Sequence, residues 1–90
     1  MSFAKKDTQK LFERQNSRKF KNIERIALRK LVMINAAKTI SDLRVPPNNR
    51  LKRLKDDRNG QYSIRINDQW RVCFNWNQGN AYDVEICDYH

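Results

Sequence analysis

Histidine occurs once in this chain, at the last position, and cysteine twice, at Cys73 and Cys87, with neither a CxxC nor a CxxH spacing. No zinc-ligand pattern is left, and neither a metal nor an organic cofactor is expected. Two cysteines so far apart read as free thiols in a reducing compartment. No apolar run approaches the roughly 20 residues of a membrane span. The opening MSFAKKDTQKLF lacks the apolar stretch of a signal peptide. A cytoplasmic protein with no membrane partner is the expectation. Acidic residues are also scarce, ten against nineteen Lys and Arg, for a net charge of +9 in 90 residues. Such a surplus points to a polyanionic partner, nucleic acid or an acidic protein. The plainer alternative, a basic surface kept for solubility, brings self-repulsion with nothing to offset it.

What is present is enough apolar material, 39% of residues, for one core and a single domain over residues 1–90. Phe3 to Gln15 is a short helical candidate, with Phe3 and Ala4 able to form a stunted edge strand. Asn22 can cap a second helix running to about Ala37, with Glu24 at its positive end. Ile23, Ile26, Ala27, Leu31 and Ile34 recur at helical spacing, and Leu28, Val32 and Met33 widen the stripe into a well-buried helix. Thr39 to Asn49 is a connection in which Pro46-Pro47 forbids helix and forces extended or polyproline geometry. Arg50 to Lys55 can be a strand anchored by Leu51 and Leu54, and Asn59-Gly60 closes a turn.

The stretch Gln61 to Phe74, QYSIRINDQWRVCF, alternates with period two around a polar break at Asn67-Asp68-Gln69. That is a β-hairpin, with Ile66 opposite Trp70, Ile64 opposite Val72 and Tyr62 opposite Phe74. The same register sets Arg65 opposite Arg71, two guanidinium groups that repel unless an anion sits between them. A three-residue loop Asn77-Gln78-Gly79 then sets Phe74 against Tyr82, Val72 against Val84, Trp70 against Ile86 and Arg71 against Glu85. The fold class is α+β: two N-terminal helices packed on one face of a twisted, mainly antiparallel sheet.

The face away from the helices gathers Arg65, Arg71, Glu85 and Tyr89, with Arg50, Lys52, Arg53, Lys55 and Arg58 around it. The chain finishes Asp88-Tyr89-His90. Arginine forks match phosphate oxygens bidentately, and an imidazole moves protons near neutral pH. These are the parts of a ribonuclease that works without metal. Plainer readings stand beside them: Arg71 and Glu85 as a cross-strand ion pair, the lysines as ordinary exposed charges, His90 as a frayed end.

The segment LRVPPNNRLKRLKDDRNGQYSIRINDQWRVCFNW, followed by VEICDYH, resembles the HigB-type toxins of the RelE superfamily, from about Ile23 to His90. The resemblance implies the toxin half of a bacterial type II toxin–antitoxin pair. It implies an mRNA endonuclease acting in the decoding site of the translating ribosome. The implied partner is a HigA-type antitoxin with a helix-turn-helix domain, through which alone the pair reaches operator DNA. Position by position, the resemblance matches the family's catalytic arginine to Arg71, its terminal Asp-Tyr-His to Asp88, Tyr89 and His90, and the basic residues of its turn to Lys55 and Arg58. Arg50, Lys52, Arg53, Arg58 and Arg65, on the basic face, are read beside it as RNA contacts, with Lys55 among the catalytic candidates. Where some members carry a histidine this chain has Lys52, for which an electrostatic role is easier to accept than proton transfer. Two other readings use the same surface: a ParE-like toxin that poisons gyrase without cutting RNA, and an RNA-binding protein without chemistry.

Overall fold

A computed structural model of the chain describes residues 1–15 and 18–88. Two α-helices, α1 (Lys6–Phe12) and α2 (Glu24–Ala36), precede a sheet of four strands: β1 (Lys52–Arg53), β2 (Tyr62–Arg65), β3 (Trp70–Asn77) and β4 (Asn80–Asp88). The strand order is β1-β2-β3-β4, with every neighbouring pair antiparallel. The α+β expectation holds, but helical turns are not confined to the N-terminal part. Lys21–Ile23, Ile40–Arg44, Pro47–Asn49 and Asp56–Arg58 are 3-10 helices.

Both helices are shorter than their patterns suggested. Neither has a side-chain cap at its N-terminus; Ile23, not Asn22, occupies that position of α2, because the 3-10 turn leads directly into it. In the connection from Thr39 to Asn49, Pro46 keeps the expected extended backbone (φ -70°, ψ 154°), but Ile40–Arg44 and Pro47–Asn49 form helical turns, contrary to expectation. Thr39 and Asp42 form a capping box: the Asp42 carboxylate accepts from the backbone N–H of Lys38 (2.9 Å) and Thr39 (3.1 Å). Those two bonds, Thr39's first, hold the Asp42 carboxyl below the ordinary carboxylate range. Pro47 begins the next 3-10 turn, where a missing N–H costs nothing.

One face of the sheet carries Ile64, Ile66, Val72, Phe74, Ala81, Val84 and Ile86 into a core closed by Leu11, Phe20, Ile23, Ala27, Leu31, Ile34 and Leu43. Burying side chains of this size stabilises by about 1.5–3 kcal/mol each before entropy is counted. The α2 stripe departs from its sequence reading in three places. Ile26 is 43% exposed and Val32 45%, while Lys30 lies in the core-facing row between Ala27 and Ile34.

The β2–β3 hairpin has the register that alternation gives: Tyr62 opposite Phe74, Ile64 opposite Val72 and Arg65 opposite Arg71. Its loop is closed by Asn67, whose side-chain oxygen accepts from the N–H groups of Gln69 and Trp70, both at 2.8 Å. The β3–β4 register differs from expectation. The turn uses two residues, Gln78 and Gly79, both with positive φ, as a tight right-twisting hairpin needs. A bulge then lets Asp83 and Val84 together face Phe74, with Asp83 at φ 52°. Beyond the bulge Val72 opposes Ile86, Cys73 opposes Glu85, Arg71 opposes Cys87 and Trp70 opposes Asp88. Tyr82, expected inside, is therefore turned to solvent.

That slip of two residues overturns the free-thiol reading. It makes Cys73 and Cys87 diagonal neighbours on one face, with Cα atoms 6.7 Å apart, and the two are joined as a disulfide. The outer edge of β4 is covered: Phe3 bridges Val84 in parallel, Ala4 N–H donates to Val84 O (3.0 Å), and the Thr8 hydroxyl accepts from Ile86 N–H (3.1 Å). The stunted N-terminal strand is thus present and blunts that edge.

Candidate active site

Alternation along β2 and β3 sends Ser63, Arg65, Arg71 and Cys73 to the face opposite the core. β1 adds Lys52 to that face, opposite Ser63. The loop holding Pro47–Asn49 and Arg50 rises beside it, making an open groove of about 860 Å³. Its walls are Pro47, Asn48, Arg50, Lys52, Arg65, Asn67, Asp68 and Arg71, four cations to one acid.

Arg71 sits at the floor and is 8% exposed. Its Nε donates to Ser63 Oγ (2.7 Å), and its Nη2 donates to the carbonyls of Arg50 (2.6 Å) and Ser63 (3.3 Å). Arg50 can offer that carbonyl because its backbone is left-handed, at φ 46° and ψ 57°. The guanidinium is thus held in one orientation by backbone and hydroxyl oxygens. Arg65, facing it, is held by Asp68 at 2.6 Å, so the repulsion expected between the two is partly relieved from within the hairpin loop. The expected Arg71–Glu85 pair does not form, because the two-residue turn and the bulge together move Glu85 opposite Cys73. Glu85 instead binds Arg58 at 2.6 Å, and Arg58 also donates to Gln61 (3.1 Å).

The structure therefore brings Arg71, Arg65, Arg50 and Lys52 together and leaves other expected residues apart. Arg53 faces the Tyr62 side, its guanidinium 5.9 Å from the centre of that ring. Lys55 is exposed at the start of the Asp56–Arg58 turn and is not part of the groove wall. Asp88 lies opposite Trp70 at the Arg65 end of the sheet, where Gln69 Nε2 donates to it at 3.1 Å. Tyr89 and His90 lie outside the described residues.

Sequence reasoning missed Ser63, although its place between Tyr62 and Ile64 in an alternating strand put it on the right face. It also missed Asn49, which is fully buried. The Asn49 amide donates to the carbonyls of Leu43 (3.1 Å) and Val45 (3.4 Å) and accepts from Lys30 Nζ (2.6 Å). This network ties the groove wall to α2. Nothing in the sequence distinguishes Asn49 from Asn48 beside it. An open groove floored by fixed guanidinium groups and short of acids is suited to grip a phosphodiester and to stabilise charge developing on it.

Known proteins resemble this chain in sequence and in fold. A family described as the RelE-like toxin of the type II toxin–antitoxin system HigB matches residues 1–90. Toxin HigB-1 of Vibrio cholerae is 42% identical over 65 residues, covering 72% of this chain and 68% of that protein. The Endoribonuclease HigB of Proteus vulgaris is 42% identical over 41 residues, 46% of this chain and 45% of its own. Among solved structures, the YoeB-YefM complex from Staphylococcus aureus matches all of this chain and 95% of that one, with a TM-score of 0.57 at 15% identity. That last likeness concerns the fold alone. Among the described residues no helix is long and apolar enough to cross a membrane. By its match over the full length, this chain belongs to the RelE-like HigB toxins of type II toxin–antitoxin systems.

Proposed function

We propose that the chain is an endoribonuclease that cuts mRNA in the decoding site of the translating ribosome. It works in the cytoplasm and is held in check by a HigA-type helix-turn-helix antitoxin. The observation that carries this reading is the position of Arg71 and Arg65, facing one another at the floor of a cationic groove. The reaction needs no metal: the ribose 2′-oxygen attacks the neighbouring phosphorus as a base takes its proton. The bond to the 5′-oxygen then breaks, and an acid protonates that oxygen. Arg71 and Arg65 stabilise the charged phosphorane. Asp88, Tyr89 and His90 supply the proton transfers. Arg50 and Lys52 hold the RNA in the groove, with Arg53, Lys55 and Arg58 extending the path along the β1 side.

The Toxin HigB-1 and Endoribonuclease HigB relatives support this assignment. The test is the chemistry of the cut ends on programmed ribosomes. A 2′,3′-cyclic phosphate and a 5′-hydroxyl are expected, and a 2′-deoxy residue at the cut position should abolish cleavage. Intact transcripts with altered DNA supercoiling in the same induced cells would overturn the reading in favour of a gyrase poison.

A further inference from the structure

Beside the groove lies a second, smaller pocket of about 340 Å³ between α2 and the wall loop, lined by Ile26, Arg29, Lys30, Asn48, Arg65, Ile66 and Asn67. It shares Asn48, Arg65 and Asn67 with the groove, so the two adjoin. Its charged lining is entirely cationic, and Asp68, at the rim of the larger groove, is committed to Arg65. Lys30 is 6% exposed, and its one hydrogen-bond partner among the described residues is the Asn49 side chain, a neutral group. Arg29 is exposed and has no ion pair among the described residues. Burying an ammonium beside guanidinium groups without a carboxylate is costly for the fold. Burial first, then Arg29 and Arg65, hold the Lys30 pKa below its ordinary value.

We infer that this pocket is a second phosphate subsite, in which Arg29 and Lys30 of α2 hold the backbone of a nucleotide flanking the scissile bond. The inference rests on the endoribonuclease reading and adds to it a direction. The RNA leaves the groove past Arg65 toward the exposed side of α2, and does not run only along the basic β1 edge. A phosphate there supplies the counter-charge that Lys30 lacks among the described residues. Asn48 and Asn67 offer amide donors to its remaining oxygens. Ile26, unusually exposed for a residue of the apolar row, lies at the pocket wall beneath the ribose or base.

Lys30→Met also removes a buried hydrogen bond, so the exposed Arg29 carries the test. Binding of 2′-O-methyl oligoadenylates of increasing length, which cannot be cut through the 2′-oxygen, is measured against salt for the purified chain and for Arg29→Ala. The expectation is unchanged affinity for the shortest oligomers and about tenfold weaker binding once the chain is long enough to reach α2. The salt slope of the longer oligomers should fall by ~0.7, the value for one single-strand phosphate contact. Equal affinity of Arg29→Ala and the unaltered chain at every length overturns the subsite. So does a loss that is uniform with length, a loss confined to antitoxin affinity, or an unaltered chain that binds none of the oligomers. Cleavage of ribosome-bound mRNA by the unaltered chain is scored separately, so the subsite can fail while the endoribonuclease reading stands.

Discussion

Lys30 is the residue whose position is least expected from its chemistry. It occupies the core-facing row of α2, and its ammonium reaches Asn49 at 2.6 Å. Asn49 in turn holds the carbonyls of Leu43 and Val45, so one buried charge and one buried amide set the height of the groove wall. The lowered pKa of Lys30 makes a stability prediction with a definite sign. The unfolded chain holds the Lys30 proton more tightly than the folded one, so folding is favoured as pH rises from the folded pKa toward 10.5. Urea unfolding of the unaltered chain and of Lys30→Met, compared from neutral pH to about 10.5, should show the unaltered chain gaining relative stability with pH. A difference that shrinks with pH would mean an anion holds that ammonium in the free protein. The apolar stripe read from the sequence left position 30 out. The residue type argued for solvent, and the geometry of α2 prevailed because a buried partner was available.

At the level of the elements, the β2–β3 hairpin was legible and the β3–β4 pairing was not. In the first, strict alternation and an Asx-closed loop leave one register that keeps Ile64, Val72 and Phe74 on a single face. In the second, Asp83 takes a left-handed conformation that glycine would normally announce, and the bulge it creates shifts every partner beyond it. The Ser2 hydroxyl accepts from Asp83 N–H at 3.0 Å, a contact 81 residues away in sequence that no local pattern reveals. The cysteine pair follows from the same shift and was invisible for the same reason. It also makes a prediction. Cys73 and Cys87 are 14 residues apart, and a crosslink over such a span stabilises by about 3 kcal/mol in the chain-entropy model, less where a hairpin already restrains the ends. Thermal unfolding should occur at lower temperature in a reducing buffer, and the Cys73→Ala, Cys87→Ala double variant should no longer respond to reductant. Identical melting of the unaltered chain with and without reductant would contradict the crosslink.

For the molecule as a whole, the charge asymmetry read from composition resolves into places. Part of it is neutralised locally, as in Arg58–Glu85 and Arg65–Asp68. Part is concentrated along the groove and in the smaller pocket between α2 and the wall loop. The composition pointed to a polyanionic partner, and the alternating strand placed Arg65 opposite Arg71. How deeply Arg71 is set, and that Arg50 and Ser63 hold it, depends on a wall loop whose 3-10 geometry the two prolines disguised. Arg71 clamps the wall through Ser63 and Arg50, so a test of the catalytic role proposed for it must keep the clamp in view.

Arg71→Lys keeps a positive charge and removes the fork, and its folding can be checked by melting. Single-turnover cleavage of mRNA on programmed ribosomes, at saturating toxin, is the direct measurement. The account predicts a fall of about a hundredfold or more, the size expected for losing a fixed donor to a developing oxyanion, in a variant that still melts cooperatively. A folded Arg71→Lys chain cutting at the unaltered rate would contradict it.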